Sequence, residues 1–126
     1  MRTRNAKRDT ALVVHIDVDN TPVVSRSVTD RHRELDAACV RAGVPVRTSA
    51  ERVGWLVPRR EIETWIHFFL SGGAVDEGTS YPKLTDHEAD CGPAAVAFTT
   101  HARAGTTPSG APPSLSTGLV ELRRAL

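Results

Sequence analysis

The sequence predicts an α/β fold built on a small parallel sheet. Two short apolar runs, Ala11-Leu-Val-Val-His-Ile16 and Arg52-Val-Gly-Trp-Leu-Val57, read as strands, and each leads through a turn into a helical pattern. Strand, helix, strand, helix is the rhythm of parallel β-α-β units. Beyond these two strands only Val44-Pro-Val46 offers a short extended piece. A sheet that narrow is marginal in isolation. Either copies of the chain pair with one another, or part of a larger parent fold is missing.

The first strand ends in Asp17-Val-Asp19-Asn-Thr-Pro22, whose Thr-Pro turns the chain. A helix is expected from Ser27 to Gly43, with Ser27 or Thr29 as cap and Gly43 as terminator. Leu35, Ala38, Cys39 and Ala42 form its apolar stripe, while Arg31, Arg33, Glu34 and Arg41 form its wet face. After the second strand, Pro58 leads into a helix from Arg59 to Leu70. Its Ile62, Trp65, Ile66, Phe69 and Leu70 make this the most strongly periodic segment in the chain, and Ser71-Gly-Gly73 stops it. Residues 71–92 read as a long irregular connection, the kind that carries function or moves. Pro93 suits the first turn of a helix running to Arg103. Residues 104–113, rich in Gly, Pro, Ser and Thr, read as a linker. Ser114 is the expected cap of a final helix over 114–126, with Leu115, Leu119, Leu122 and Leu126 on one side.

Length and composition bound the function. The 126 residues suit one domain, preceded by a basic arm over residues 1–9 that holds Arg2, Arg4, Lys7 and Arg8. That arm reads as a solvated, flexible terminus in preference to a nucleic-acid-touching one. A net charge of +1 excludes a polyelectrolyte binder driven by bulk charge. No apolar stretch reaches the length of a membrane span, and the N-terminal run is too short and too interrupted for a signal peptide. Cys39 and Cys91 are too few for a disulfide framework or a zinc ribbon, and Cys39 reads as a small core residue. The expected setting is cytoplasmic.

The chemistry concentrates at two places. Side chains alternate along a strand, so Asp17 and Asp19 project from one face at its C-terminal end. There, ligands bind open α/β sheets, and two carboxylates this close repel unless a cation or proton lies between them. A divalent-metal or phosphoryl site and a simple turn cap both account for that pair. The second place is Pro58-Arg-Arg-Glu-Ile-Glu-Thr-Trp65. Glu63 borders the apolar stripe, and if the two strands are adjacent and parallel it emerges at the same edge as Asp17 and Asp19. It would then add a third carboxylate for a hard cation such as Mg²⁺. Arg59 and Arg60, with the helix N-terminus, are placed to hold a phosphate. Glu61 reads as ordinary first-turn helix chemistry. Lys83 reads as exposed, His15 as a satisfied sheet histidine, and His87, Glu88, Asp90 and Cys91 as solvated loop. An EF-hand fails because Pro22 stands where glycine is required. A P-loop, a dinucleotide fingerprint and a nucleophile elbow are absent.

The paired motifs resemble those of TOPRIM-like proteins, particularly the RloB-like and OLD-nuclease-like bacterial groups. The matching parts are the strand Val13 to Asp19 and Pro58-Arg-Arg-Glu-Ile62-Glu63-Thr-Trp65, with Val75-Asp-Glu77 and Tyr81-Pro-Lys-Leu84 downstream, over residues 10–95. The resemblance implies a Rossmann-like, three-layer TOPRIM-type arrangement, Mg²⁺ at Asp17 and Asp19, and phosphodiester chemistry on nucleic acid, with Glu63 in support. The family's glutamate-bearing strand before Asp-x-Asp has no counterpart here, so an incomplete domain with its acid/base missing is expected. Asp17-Val-Asp19-Asn-Thr21 is also similar to the opening of haloacid-dehalogenase-like phosphatases, whose later acidic pair is not matched. A non-catalytic interaction module, as a homodimer or with a partner protein, is the third reading.

Overall fold

A computed structural model describes residues 10–18, 27–73, 75–83 and 87–126, with the backbone alone at 87, 88 and 90. Two strands, β1 (Leu12–His15) and β2 (Val53–Leu56), pair in parallel with Leu12 opposite Val53 and His15 opposite Leu56. Four helices follow the chain: α1 (Val28–Arg41), α2 (Ile62–Ser71), α3 (His87–Ala104) and α4 (Pro113–Ala125). The α/β class and the thin parallel sheet expected from the sequence are both present. Val44-Pro-Val46 is not a strand, and the described residues supply no third one.

The ladder runs past the strand ends. Leu12 N–H donates to Arg52 O at 2.8 Å, Ile16 N–H to Leu56 O at 3.1 Å and Val18 N–H to Pro58 O at 3.0 Å. Even-numbered residues of β1 therefore turn their backbones toward β2. Their side chains, with those of Val53, Trp55 and Val57, form one apolar layer against Val28 and Leu35 of α1. The Ser27 hydroxyl accepts from Asp30 N–H and the Asp30 carboxylate from Ser27 N–H, a capping box that starts α1 where the sequence places it. No residue of α1 is fully buried, so Cys39 is half-buried and not a core residue. Arg31 leaves its expected wet face and donates to Asp17 O through Nε at 3.1 Å and Nη2 at 2.9 Å. A strand-end carbonyl with no ladder partner attracts such a donor.

On the other face of the sheet α4 lies directly on β2. A Cβ on Gly54 would sit 2.5 Å from the backbone oxygen of Glu121, so only glycine permits this approach. Leu115 and Leu119 of α4 are fully buried, each contributing roughly 1.5–3 kcal/mol. Leu115 joins Trp65 and Phe68 of α2, with Leu56, Phe69 and Phe98 packed around them. A Cβ on Gly118 would meet the Trp65 ring at 2.5 Å. Of the expected leucine face, Leu126 is exposed and Leu122 half-buried.

Three boundaries differ from expectation. Helix α2 begins at Ile62, with Glu61 at its N-cap, so Arg59 and Arg60 lie in the bend before it. Its end is as expected, at Gly72 with φ 64°. Helix α3 begins at His87 and holds Pro93 in its interior, so residues 87–92 are helix and not loop. A proline suits a first turn but can also be carried farther in where its missing N–H is tolerated. Cys91 there walls an apolar cavity of about 310 Å³, with Leu56, Ile66, Phe69 and Phe98. Helix α4 is capped by Pro112, not Ser114. Ser114 is buried: its Oγ accepts from Trp65 Nε1 at 2.9 Å, and its N–H donates to Glu77 Oε1 at 2.8 Å. A carboxylate from a distant loop thus caps α4. The stretch over 104–113 is tied to the same helix. Arg123 donates to Ala102 O and Thr106 O, and Gly105 and Gly110 turn the chain at φ 70° and 76°.

Candidate functional site at the carboxyl edge of the sheet

Parallel pairing in this register brings the C-terminal ends of both strands to one edge, with Val18 bonded to Pro58 across it. Asp17 stands at the end of β1. Its Oδ1 lies 2.9 Å from Nε2 of His15, two residues back, as the strand alternation requires. The Asp17 carbonyl is held by Arg31. Asp19 lies outside the described residues.

Glu63, in the first turn of α2, is buried, and its Oε1 receives Lys83 Nζ at 2.8 Å. The same ammonium lies 3.3 Å from Glu61 Oε2. Glu61 is more than a first-turn acid. Its other oxygen accepts from Ser80 Oγ at 2.9 Å and Tyr81 N–H at 3.0 Å, so one carboxylate pins the 80–83 segment against the start of α2. Burial works against ionisation of Glu61, but the bonds from Ser80, Tyr81 and Lys83 outweigh it and hold the carboxyl below its ordinary range. The hydrogen bonds to Glu63 and then Glu61 raise the Lys83 ammonium above its usual value. Lys83, expected to be merely exposed, is the cation that joins the two glutamates.

The loop over 75–83 is built around Asp76, whose carboxylate accepts from Gly78 N–H at 2.8 Å and Thr79 Oγ1 at 3.0 Å. These two bonds hold the Asp76 carboxyl below its ordinary range, with a smaller contribution from Arg59. Tyr81 receives Asp76 N–H on its hydroxyl and lies 5.0 Å from the His67 ring. Arg60 donates to Gly78 O at 3.0 Å, and Arg59 is exposed in the bend. The edge therefore assembles Arg59, Arg60, Glu61, Glu63 and Lys83 around one loop, with Asp17 at the neighbouring strand end. Among the described residues no hydrogen bond or ion pair joins Asp17 to Glu63.

Mg²⁺ requires several oxygen donors converging on one point. Among the described residues no group of three or more His, Cys, Asp or Glu side chains converges to hold an ion. The Asp17 carboxylate is engaged by His15, and that of Glu63 by Lys83. These residues do not by themselves form a metal site.

A second buried cluster escaped the sequence reading. Glu121 of α4 and Arg47 form a bidentate pair, with Arg47 Nη2 at 2.9 Å from Glu121 Oε1 and Nη1 on the other oxygen. Glu121 Oε2 also accepts Trp55 N–H at 2.9 Å, and Arg47 Nη1 donates to Val53 O at 3.0 Å. These are the groups that β2 turns away from β1. Arg47 also lies 3.5 Å over the Trp55 ring, and His32 meets that ring edge-on at 5.3 Å. Burial opposes the Glu121 charge, but Arg47, Trp55 N–H and His32 together hold its carboxyl below its ordinary range. Burial lowers His32 below the usual histidine value. No local periodicity signals this pair, whose members are far apart in sequence.

No described helix is long and apolar enough to cross a membrane. Comparison with models of known families, with curated proteins and with solved structures returned no match.

Proposed function

We propose that the chain is a TOPRIM-like module that meets the phosphodiester backbone of nucleic acid at the carboxyl edge of its sheet, and that it carries Mg²⁺-dependent, nuclease-like chemistry. The observation that supports this reading is the parallel β1–β2 register, which sets Asp17 at the same edge as Arg59, Arg60 and the first turn of α2. Asp17 with Asp19 is the pair on which such a metal would depend, and Glu63 is the nearby acid in support. Arg59 is the exposed cation for a phosphate. Arg60 would have to release Gly78 O to join it. The described residues by themselves do not converge on an ion.

A second reading rests on how the acids of this edge are already satisfied. Lys83 satisfies Glu63, and His15 satisfies Asp17, as in a non-catalytic interaction module that keeps such a fold without its chemistry. Cleavage of labelled DNA and RNA with Mg²⁺ or Mn²⁺, run beside Asp17→Asn, separates the two. Metal-dependent cleavage lost in the variant supports the first reading. Binding without cleavage in either protein supports the second. Turnover of a generic phosphomonoester, with diesters untouched, would instead favour the haloacid-dehalogenase-like alternative.

A further inference from the structure

We propose that two copies of this chain pair through their β1 strands, antiparallel about a twofold axis, so that the Asp17 end of each lies beside the start of the other's β1. The inference does not depend on metal or nucleic acid. Leu12, Ile16 and Val18 donate to β2, so Val13, His15 and Asp17 turn their N–H and C=O groups outward. The Asp17 carbonyl is covered by Arg31. Among the described residues, Val13 and His15 have no backbone partner on this side.

The opposite edge of the sheet is closed, since Arg47 and Glu121 satisfy Val53 O and Trp55 N–H. Edge strands that stay single are guarded by being short, by lysine, proline or a bulge, or by a covering element, and β1, four residues long, has only the first of these among the described residues. The open edge of β1 reads Leu-Val-Val-His, and its Val13 is 44% exposed.

The occupant follows from charge. Arg2, Arg4, Lys7 and Arg8 precede β1, and Asp17 ends it. Antiparallel self-pairing sets each Asp17 toward the start of the other copy's β1, the end that these basic residues precede in sequence, whereas parallel pairing would align Asp17 with Asp17. The blocked Asp17 carbonyl selects the register. Val13 falls opposite the partner's His15, the residues of an antiparallel hydrogen-bonded pair exchange both N–H···O bonds, and the symmetry-related pair does the same. Asp17 then falls opposite the partner's Ala11, with no carboxylates opposed. Val13 gains the partner's imidazole as its cross-strand neighbour. The interface is isologous, so assembly closes at two.

The test is the oligomeric state of the full chain by sedimentation velocity, over a range of concentrations and salt, in chelator and without nucleic acid. The expected result is a monomer–dimer equilibrium that weakens as salt rises. Val13→Pro removes one outward N–H without touching the β1–β2 ladder, and Val13→Lys guards the edge while leaving that N–H in place. Each should weaken dimerisation at least about tenfold, about 1.4 kcal/mol, with an unchanged circular dichroism spectrum. If Val13→Pro perturbs folding, Val13→Lys decides. A wild-type chain that is monomeric throughout, a dimer that survives the substitutions, or open-ended assembly would each overturn the proposal. Because metal and nucleic acid are absent, none of these outcomes bears on the proposed chemistry.

Discussion

Two buried carboxylates, Glu121 on α4 and Glu63 on α2, each accept from a cationic side chain that reaches in from a distant part of the chain. They differ in what that cation is free to do. The Arg47 and Glu121 side chains are both 9% exposed, and the guanidinium also binds Val53 O and covers Trp55. Lys83 is 72% exposed, while its partner Glu63 is 12% exposed. A planar guanidinium locked by several partners is part of the fabric, and it does for β2 what a neighbouring strand would do. A single ammonium on a solvated stem can leave without rebuilding anything. Similar pairing chemistry therefore makes a sealed structural joint in one place and an exchangeable counter-ion in the other.

The largest expected effect lies on the sealed side. Glu121→Ala leaves Arg47 buried without its carboxylate and Trp55 N–H without an acceptor, and should cost about 3 kcal/mol in urea unfolding. A loss below about 1 kcal/mol would mean that this pair too behaves as a surface one. Gly54→Ala probes the same joint through the backbone. Its Cβ would lie 2.5 Å from Glu121 O, so α4 must lift, at about 1–3 kcal/mol. Gly118→Ala meets a side-chain ring instead, so it should cost less if Trp65 can yield.

The pH dependence separates the two sides further. His32 faces Trp55 from α1, with Asp36 on its own helix, Arg47 beside it, and Glu121 and Arg124 on α4. Burial holds it below the ordinary histidine value, so the unfolded chain takes up the proton first as pH falls. The stability from neutral His32 is full above about pH 6.5 and is lost as pH drops below it. Glu121 has the depressed carboxylate's profile, full above its ordinary value and lost only at more acidic pH. Unfolding midpoints should therefore fall as pH is lowered from neutral through the histidine range, and His32→Phe should flatten that slope. An unchanged slope in the variant would remove His32 from the account.

The smallest structural effect is expected at the open side. Lys83→Met should cost about 1 kcal/mol, less than Glu121→Ala, because buried Glu63 loses its ammonium at a site that water can enter, while the Glu61 carboxyl titrates closer to its ordinary value because one of its donors is gone. Carbon-detected NMR of the glutamate carboxyls reads this directly. A large loss of stability would show that Lys83 is a joint and not a removable cation.

Much of the fold is legible along the chain because its signals are local. The capping box at Ser27 and Asp30, the glycine ending α2 at Gly72 and the alternation of β1 each depend on neighbours within a few residues. So does the placement of Asp17 at a strand end. Pro93 and Ser114 misled because each residue type has two uses. A proline suits a first turn but is found inside α3, and a serine suits a cap but here serves Trp65. Lys83 and Glu61 read as surface charge because their meeting is made by a loop returning to α2, which no spacing rule encodes.

What the amino-acid sequence by itself determined is therefore the α/β class, the thin sheet, and the acids and bases that reach its carboxyl edge, since strand and helix periods set which way a side chain points. Tertiary structure alone decided how those charges are spent. Arg47 and Glu121 close one edge of the sheet, Lys83 holds Glu61 and Glu63, and Glu77 caps α4, each across a long separation in sequence. Pairing at such range follows from which surfaces pack, and close packing is a property of the whole chain, not of any segment of it.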